Sequence, residues 1–274
     1  MAVTRTPNEG KKLNKPLLKA EGYHAPAVEK AFRLLRFVAN SNEALRLSDL
    51  AENLGISKST THGLIRALVA SGALNQNPKD KRISLGPATI ELALKNQIYL
   101  QLGAQVQPRL DELRDRINET IFFGLLRPWR ALIMATSEAH NPIKISSPPG
   151  SSIILMAGAL GKVYLSQMDD AEVSRIVRKH GLPQFTQTSI VDEPTFLQEI
   201  ASVRQTGYAL DKGEYMSGVN AVAVGLGNYY GLQLALWVVG FAESLHLEKI
   251  DTVKESLLAT SAKLQKTLHT TKTF

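Results

Sequence analysis

Apolar residues recur every three or four positions between Leu47 and Gly72, which predicts two consecutive amphipathic helices. Ser48 is placed to cap the first helix, and Gly55 ends it because glycine adopts the left-handed conformation at little cost. Ser57 is placed to cap the second helix, whose pattern continues to about position 70. Two short helices joined by a tight turn are typical of the helix-turn-helix, whose second helix enters the major groove of DNA.

The second of these helices has a polar face suited to nucleic acid. Its apolar residues fall on one side by their spacing, and its hydroxyl, imidazole and basic groups fall on the other. The candidate DNA contacts on or beside this face are Ser48, Ser57, Lys58, Ser59, Thr60, His62 and Arg66. Capped amphipathic helix pairs also occur in many other helical proteins, so this pattern alone does not establish DNA binding.

The segments on either side of the pair strengthen the interpretation. Another helix is predicted over residues 26–40, and a hairpin with a charged turn is predicted over residues 73–85. Lys79, Lys81 and Arg82 stand at this turn, and we expect them to reach the DNA backbone. Because three helices followed by such a hairpin make a winged helix, we predict a DNA-binding domain over residues 25–86.

Charge is distributed unevenly along the chain. The first 100 residues carry 15 Lys and Arg against 8 Asp and Glu, whereas the remaining residues carry 17 of each. The whole net charge of +7 therefore belongs to the part with the predicted helix-turn-helix. A solvated basic face would explain the charge but not this coincidence, and neutralisation of phosphates favours double-stranded DNA as the partner. Residues 1–24, rich in lysine, are predicted to form a flexible basic tail.

A second domain is predicted after the hairpin. The helical pattern that starts at residue 87 predicts a linker helix over 87–104, interrupted by Gly103 and again by Pro108 before another helix. Beyond residue 120, short apolar runs predict strands, and helical periodicity returns between and after them. This order predicts an α+β domain with an antiparallel sheet over residues 105–270, rather than alternating βα units.

Several other classes of function are disfavoured by the composition. The chain has no cysteine, which excludes disulfides and thiolate metal sites and fits a reducing cytoplasm. Its longest apolar runs are shorter than the ~20 residues that cross a bilayer, so no membrane partner is expected. The six histidines lack metal-ligand spacing, and residues 158–162 lack the Ser or Thr that completes a phosphate-binding loop. The sequence therefore predicts neither an enzyme, nor a cofactor, nor a metal.

From about residue 26 to residue 268 the chain resembles the IclR family of bacterial transcriptional regulators. The matching segments are Val28 to Ala31, Leu47 to Ala51, Leu54 to Thr60, Ser84 to Gly86, Gly158 to Lys162, Gly207 to Ala209, Glu214, and Gly218 to Asn220. The resemblance implies a winged helix-turn-helix, a linker helix and a GAF/PAS-like effector-binding domain. It also implies a cytoplasmic bacterial homodimer or homotetramer that binds palindromic operator DNA.

The resemblance places a small-molecule effector in the second domain. By position, the effector-binding residues are Ala159, Leu160, Asp211, Val219, Ala221, Trp237 and Val239. Some pockets of the family that bind small oxo-acids have hydroxyls or thiols at the last three positions, which here are alanine, tryptophan and valine. We therefore predict a catabolic metabolite with an apolar or aromatic body and a carboxylate. Alternatively, Trp237 fills the pocket and no effector binds.

The recognition helix departs from the family at one position. Members often carry arginine where this chain has Gly63. Glycine there costs helix stability of ~1 kcal/mol relative to alanine and removes a DNA contact. Either Arg66 takes over that contact one turn later, or the helix backbone approaches the DNA closely at Gly63.

The predicted function is ligand-responsive transcription regulation, in which effector binding changes the spacing of two recognition helices through the linker helix. Two alternatives use the same scaffold. One is a small-molecule enzyme with an attached DNA-binding domain, for which the sequence shows no active-site constellation. The other is a DNA-binding protein that needs no ligand, for which a large neutral second domain would be superfluous.

Overall fold

The computed structural model describes residues 25–41, 43–95, 97–156 and 158–270, and only the backbone of residues 97–100 and 269–270. The predicted basic tail over residues 1–24 lies outside the described residues. Contacts divide the chain into two compact units, with the division between Gln97 and Ile98. None of the helices within the described ranges is both long enough and apolar enough to cross a membrane.

The first unit contains the predicted helices and hairpin. Its elements are α1 (Pro26–Ala39), α2 (Leu47–Leu54), α3 (Lys58–Ala70), β1 (Leu74–Gln76), β2 (Ile83–Leu85) and α4 (Pro87–Lys95). β1 and β2 pair antiparallel, with Leu74 opposite Leu85. The buried core consists of Leu34, Val38, Leu50, Leu54, Ile56, Ile65, Leu74 and Ile83, which join α1, α2 and α3 to the hairpin. This arrangement confirms the winged helix-turn-helix.

The start of α2 differs from the prediction. Arg46, not Ser48, occupies the N-cap position, and its backbone N–H donates to the Asp49 carboxylate at 3.0 Å. Ser48 lies within the first turn and donates to the same carboxylate at 3.2 Å. The carboxylate of Asp49 thus accepts the backbone N–H of Arg46 at the N-terminus of α2. The predicted capping role of Ser48 is therefore wrong. The predicted end of α2 is confirmed, because Gly55 has a φ of +61°.

The second unit is built on a six-stranded antiparallel sheet. Its strands are β3 (Thr120–Arg127), β4 (Arg130–Ser137), β5 (Ser152–Ile154), β6 (Tyr208–Lys212), β7 (Val219–Tyr229) and β8 (Leu232–Phe241). They lie side by side in the order β5-β4-β3-β8-β7-β6. Every neighbouring pair is antiparallel, which confirms the α+β class.

Helices cover both faces of this sheet. They are α5 (Gln97–Ile117), α6 (Gly158–Leu165), α7 (Asp170–His180), α8 (Glu193–Thr206) and α9 (Leu247–Thr270). On one face, buried residues of α5 and α9 pack in one cluster with Ile121, Phe123 and Leu236. On the other face, α6 packs against Phe122 and Trp237. The candidate effector residues lie on this second face.

The predicted interruption of the helix at Gly103 and Pro108 is wrong, because α5 continues through both residues. Leu102, Val106 and Leu110, each no more than 1% exposed, pack on the sheet, and their burial outweighs the lost backbone hydrogen bond at the proline. Glycine is needed at position 103 because the helix lies close to the sheet there: a Cβ would lie only 2.9 Å from the carbonyl oxygen of Met134.

Candidate functional site

The outer face of α3 is polar and open to solvent. Lys58, Ser59, Thr60, His62 and Arg66 are all exposed, as the sequence predicted. The opposite face is fixed in the core by Thr61 and Ile65, which are 0% and 2% exposed. The polar side chains on α3 are therefore presented outward by a helix that is anchored along its other side.

Hydroxyl groups cluster at the N-terminus of α3. Ser57 caps the helix, as predicted, by accepting a hydrogen bond from the backbone N–H of Thr60 at 3.2 Å. Its own hydroxyl lies 2.8 Å from the Thr60 hydroxyl and 3.1 Å from that of Ser59. Unpaired backbone N–H groups of the first turn and the helix dipole make this end electropositive. The cluster can therefore contact a phosphate group.

Three of the predicted DNA contacts surround one surface cleft. Ser48 at the start of α2, His62 on α3 and Lys81 in the hairpin turn line this cleft together. Lys81 has a φ of +60°, so the turn is held in a sharply bent conformation. These residues are far apart in sequence and only the fold brings them to one surface, where a polar ligand could contact helix and hairpin at once.

The basic side chains of the hairpin turn have different surroundings. Lys79 and Lys81 are exposed, whereas Arg82 is partly buried. The Arg82 guanidinium donates to the carbonyl oxygen of Ala44 at 2.9 Å and lies 3.7 Å from the Asp80 carboxylate. Arg82 thus holds the segment before α2 against the hairpin, and its contact with the DNA backbone stays a prediction.

The second unit contains a cavity of about 120 Å³ between the start of α6 and the sheet. One water molecule needs roughly 10–15 Å³ on this measure, so the space suits a small organic molecule. Its walls are mostly aliphatic and aromatic, and polar atoms come from Ser147, Asp211, Tyr215 and Trp237. Such a cavity favours a ligand with an apolar body and few polar groups.

All seven predicted effector-binding residues line this one cavity. They come from α6, β6, β7 and β8: Ala159, Leu160, Asp211, Val219, Ala221, Trp237 and Val239. Six more lining residues were missed: Phe122, Ile145, Ser147, Ile153, Tyr215 and Met216. Most of the missed residues lie in loops or on β5, where no periodic pattern marks them. Ligand binding by the predicted residues, and by the lining residues that were missed, stays a prediction.

Trp237 forms part of the cavity wall without filling the cavity. Its ring stacks on Phe122 with a centroid distance of 5.5 Å, and the side chain is 2% exposed. A Cβ at Gly124 would lie 2.8 Å from the Trp237 ring, so the glycine leaves room for it. The indole N–H is buried and has no acceptor among the described residues. A ligand oxygen that accepted this hydrogen bond would relieve the cost of an unsatisfied donor.

Asp211 is the acidic group of the cavity. Its side chain accepts a hydrogen bond from the backbone N–H of Glu214 at 2.6 Å. Any Cβ at Gly158, where φ is +65°, would collide with the Asp211 carboxylate, so this close approach requires glycine. Burial raises the pKa of Asp211, although the backbone N–H groups of Glu214 and Tyr215 and the charge of Lys162 oppose this.

A buried lysine on α6 neutralises part of the acidic charge around Asp211. Lys162 on α6 is 1% exposed, and its ammonium donates to Glu199 at 2.8 Å, Glu214 at 2.7 Å and the carbonyl oxygen of Leu210 at 2.8 Å. Burial raises the pKa of Glu214, and the ammonium of Lys162 opposes that rise. Three carboxyl groups thus share one cation, because Asp211 also lies within its field.

The raised pKa of Asp211 predicts a specific pH dependence of stability. Because the folded state binds the proton of Asp211 more tightly than the unfolded state does, protonation stabilises the folded protein at pH values below the unfolded pKa, near 3.8. This contribution to stability is lost as the pH rises through the folded pKa. We expect Asp211→Asn, which has no proton to lose, to gain stability relative to the wild type as the pH rises above the unfolded pKa and through the folded pKa. Urea unfolding of both proteins at several pH values measures the difference.

Asp115→Asn is the matched control for this experiment. Hydrogen bonds from His140 and Arg114 lower the pKa of Asp115, so its contribution is present above the unfolded pKa and lost as the pH falls. The stability difference between this variant and the wild type should therefore have the opposite dependence on pH. A difference for Asp211→Asn that stays constant with pH would contradict the account of its burial.

Each of the two units matches a family model of known proteins. Residues 27–78 match the family model for the IclR helix-turn-helix domain, and residues 98–266 match the model for the C-terminal part of bacterial transcriptional regulator IclR. The HTH-type transcriptional repressor AllR of Escherichia coli (strain K12) is 29% identical over 202 residues, which are 73% of this chain and 73% of AllR.

Solved structures have the same fold. An IclR transcriptional regulator from Alicyclobacillus acidocaldarius is 25% identical, with a TM-score of 0.73 over 89% of this chain and 99% of that chain. An IclR homolog from Microbacterium hydrocarbonoxydans, crystallised with 4-hydroxybenzoate, is 18% identical, with a TM-score of 0.72 over 89% of this chain and all of that chain. With family models matched in both of its units, the chain belongs to the IclR family of bacterial transcriptional regulators.

Proposed function

We propose that this regulator binds operator DNA with α3 and the hairpin turn, and that a small apolar or aromatic carboxylate in the cavity changes this binding. The observation that carries the effector proposal is that seven residues from α6, β6, β7 and β8 line one apolar cavity. Its aromatic wall suits a flat ring, and the indole N–H of Trp237 lacks an acceptor among the described residues. The 4-hydroxybenzoate complex of the Microbacterium protein concerns that protein, and here it suggests a probe.

The proposed DNA-binding residues divide by the contacts they can make. We assign Ser59, His62 and Arg66 to the edges of bases, because they are exposed on the outward face of the helix that enters the major groove. Residues at the ends of α2 and α3 and in the hairpin turn are assigned to phosphates; they are Ser48, Ser57, Lys58, Thr60, Lys79, Lys81 and Arg82. Because operator DNA is the proposed partner, we propose that the protein acts in the bacterial cytoplasm.

We also propose that the protein is a homodimer or homotetramer. Helix α1 exposes Val28 and Phe32, at 54% and 56%, which lie one turn apart and share a face. In α4, Ile90, Leu92 and Leu94 are 62%, 74% and 56% exposed. Apolar side chains exposed in this way on two helices are typical of an interface with another subunit, and a second copy matches the two-fold symmetry of palindromic operators.

Isothermal titration tests the effector proposal. We expect benzoate or 4-hydroxybenzoate to bind the wild-type protein, and expect Ala221→Leu to abolish binding because the larger side chain fills part of a cavity of about 120 Å³. Ala201→Leu is the control, since Ala201 is exposed on α8 and outside the cavity lining. Binding of glyoxylate or pyruvate, but of neither aromatic acid, would reject the proposed effector class.

A further inference from the structure

Gly63 in α3 has no structural reason to be glycine within the described part of the protein. Its φ is outside the left-handed region, unlike that of Gly55, which ends α2 at +61°. A Cβ at Gly63 would meet no atom within 4 Å. Neither the backbone conformation nor the packing of the first unit therefore requires a residue without a side chain at this position.

The position of Gly63 on α3 is the one farthest from the core. Successive residues of an α-helix are turned by about 100°, and Gly63 is two residues from both Thr61 and Ile65. It therefore lies about 160° away from each of these two buried residues. Its neighbours one turn away, Ser59 and Ala67, are small and exposed, so the outermost line of α3 has little side-chain bulk.

Two polar side chains lie on or next to this outermost line of α3. Ser59 lies one turn before Gly63, and Arg66 lies about one turn after it, so both share its face of the helix. In a recognition helix this outermost line is the part that meets the floor of the major groove. A methyl group at residue 63 would hold the backbone away by about 1.5 Å, the length of one carbon–carbon bond.

We propose that Gly63 is a specificity-determining residue of this regulator: its missing side chain lets the backbone of α3 approach the base pairs closely. The close approach brings Ser59 and Arg66 within hydrogen-bonding distance of base edges. Donor and acceptor separations in hydrogen bonds vary by only about 0.5 Å, so a displacement of about 1.5 Å breaks such contacts. Contacts with phosphates from long, flexible lysines tolerate it. This proposal rests on the proposed DNA binding by α3. It adds how this protein distinguishes one DNA sequence from another.

The test compares the full-length wild type with Gly63→Ala. Selection from random-sequence duplexes with the wild type yields an enriched duplex, and fluorescence anisotropy gives the affinity of both proteins for it and for an unrelated duplex. We expect Gly63→Ala to bind the enriched duplex about tenfold more weakly and the unrelated duplex equally well. The melting temperature of Gly63→Ala should be no lower than that of the wild type, because alanine favours the helix and meets open space.

Each other outcome contradicts the proposal in a recognisable way. Equal affinity of both proteins for the enriched duplex would show that Gly63 has no part in specificity. Weaker binding of both duplexes, together with a lower melting temperature, would show damage to the helix instead. If selection with the wild type enriched no duplex, the proposed sequence-specific binding of operator DNA would itself fail, which is a different result from a failure at Gly63.

Discussion

Lys162→Met is expected to destabilise the second unit by about 3–5 kcal/mol, the usual cost of removing one partner from a buried ion pair. Lys162 is 1% exposed, and its three hydrogen bonds join Glu199, Glu214 and the carbonyl oxygen of Leu210. Without the ammonium group, the half-buried Glu214 loses its counter-charge and the carbonyl oxygen loses its donor. Urea unfolding monitored by circular dichroism measures the loss.

Lys254→Met is the matched control for this prediction. Lys254 pairs with Asp251 at 2.6 Å, a distance similar to those around Lys162, but the Asp251 side chain is 71% exposed. Water can replace this partner, so the control should lose far less stability than Lys162→Met. If both variants lost the same free energy of unfolding, burial would not explain the importance of Lys162.

Arg66→Ala is expected to weaken binding of the enriched duplex by about 10- to 100-fold, the value of a good side-chain contact with a base. Arg66 is exposed on the outer face of α3, and the described structure gives it no hydrogen bond or ion pair. Its removal should therefore leave the melting temperature unchanged. Anisotropy titrations with the enriched duplex and an unrelated one measure the effect.

Lys79→Ala provides the comparison for Arg66. Lys79 is exposed in the hairpin turn, where a lysine meets phosphate rather than bases. Its loss should weaken binding of both duplexes equally and lower the slope of affinity against salt by about 1. If Arg66→Ala behaved in this same way, or left the affinity for the enriched duplex unchanged, its assignment to base contacts would be wrong.

The winged helix was predictable because its signals are local. The cap at Ser57, the left-handed Gly55 and the polar turn of the hairpin each act within a few residues, and the structure has all three. The start of α2 was missed because Ser48 and Asp49 both have capping chemistry, and only the geometry shows that the carboxylate of Asp49 acts.

The cavity was predictable only in part. The resemblance to a family gave positions on α6 and on three strands, but Ile145 and Tyr215 lie in loops that no periodicity places. The burial of Lys162 was also beyond the sequence, since its partners Glu199 and Glu214 follow 37 and 52 residues later. Contacts over such separations depend on how the strands pair, which a single sequence does not specify.

Hydrogen–deuterium exchange of the full-length protein, with and without the enriched duplex, tests most directly whether α3 and the hairpin turn bind DNA. If these segments bind DNA, the duplex slows exchange in the first turns of α3, from Ser57 to Arg66, and in the hairpin turn between β1 and β2. Protection confined to other parts of the chain, with both of these segments unchanged, would contradict this binding.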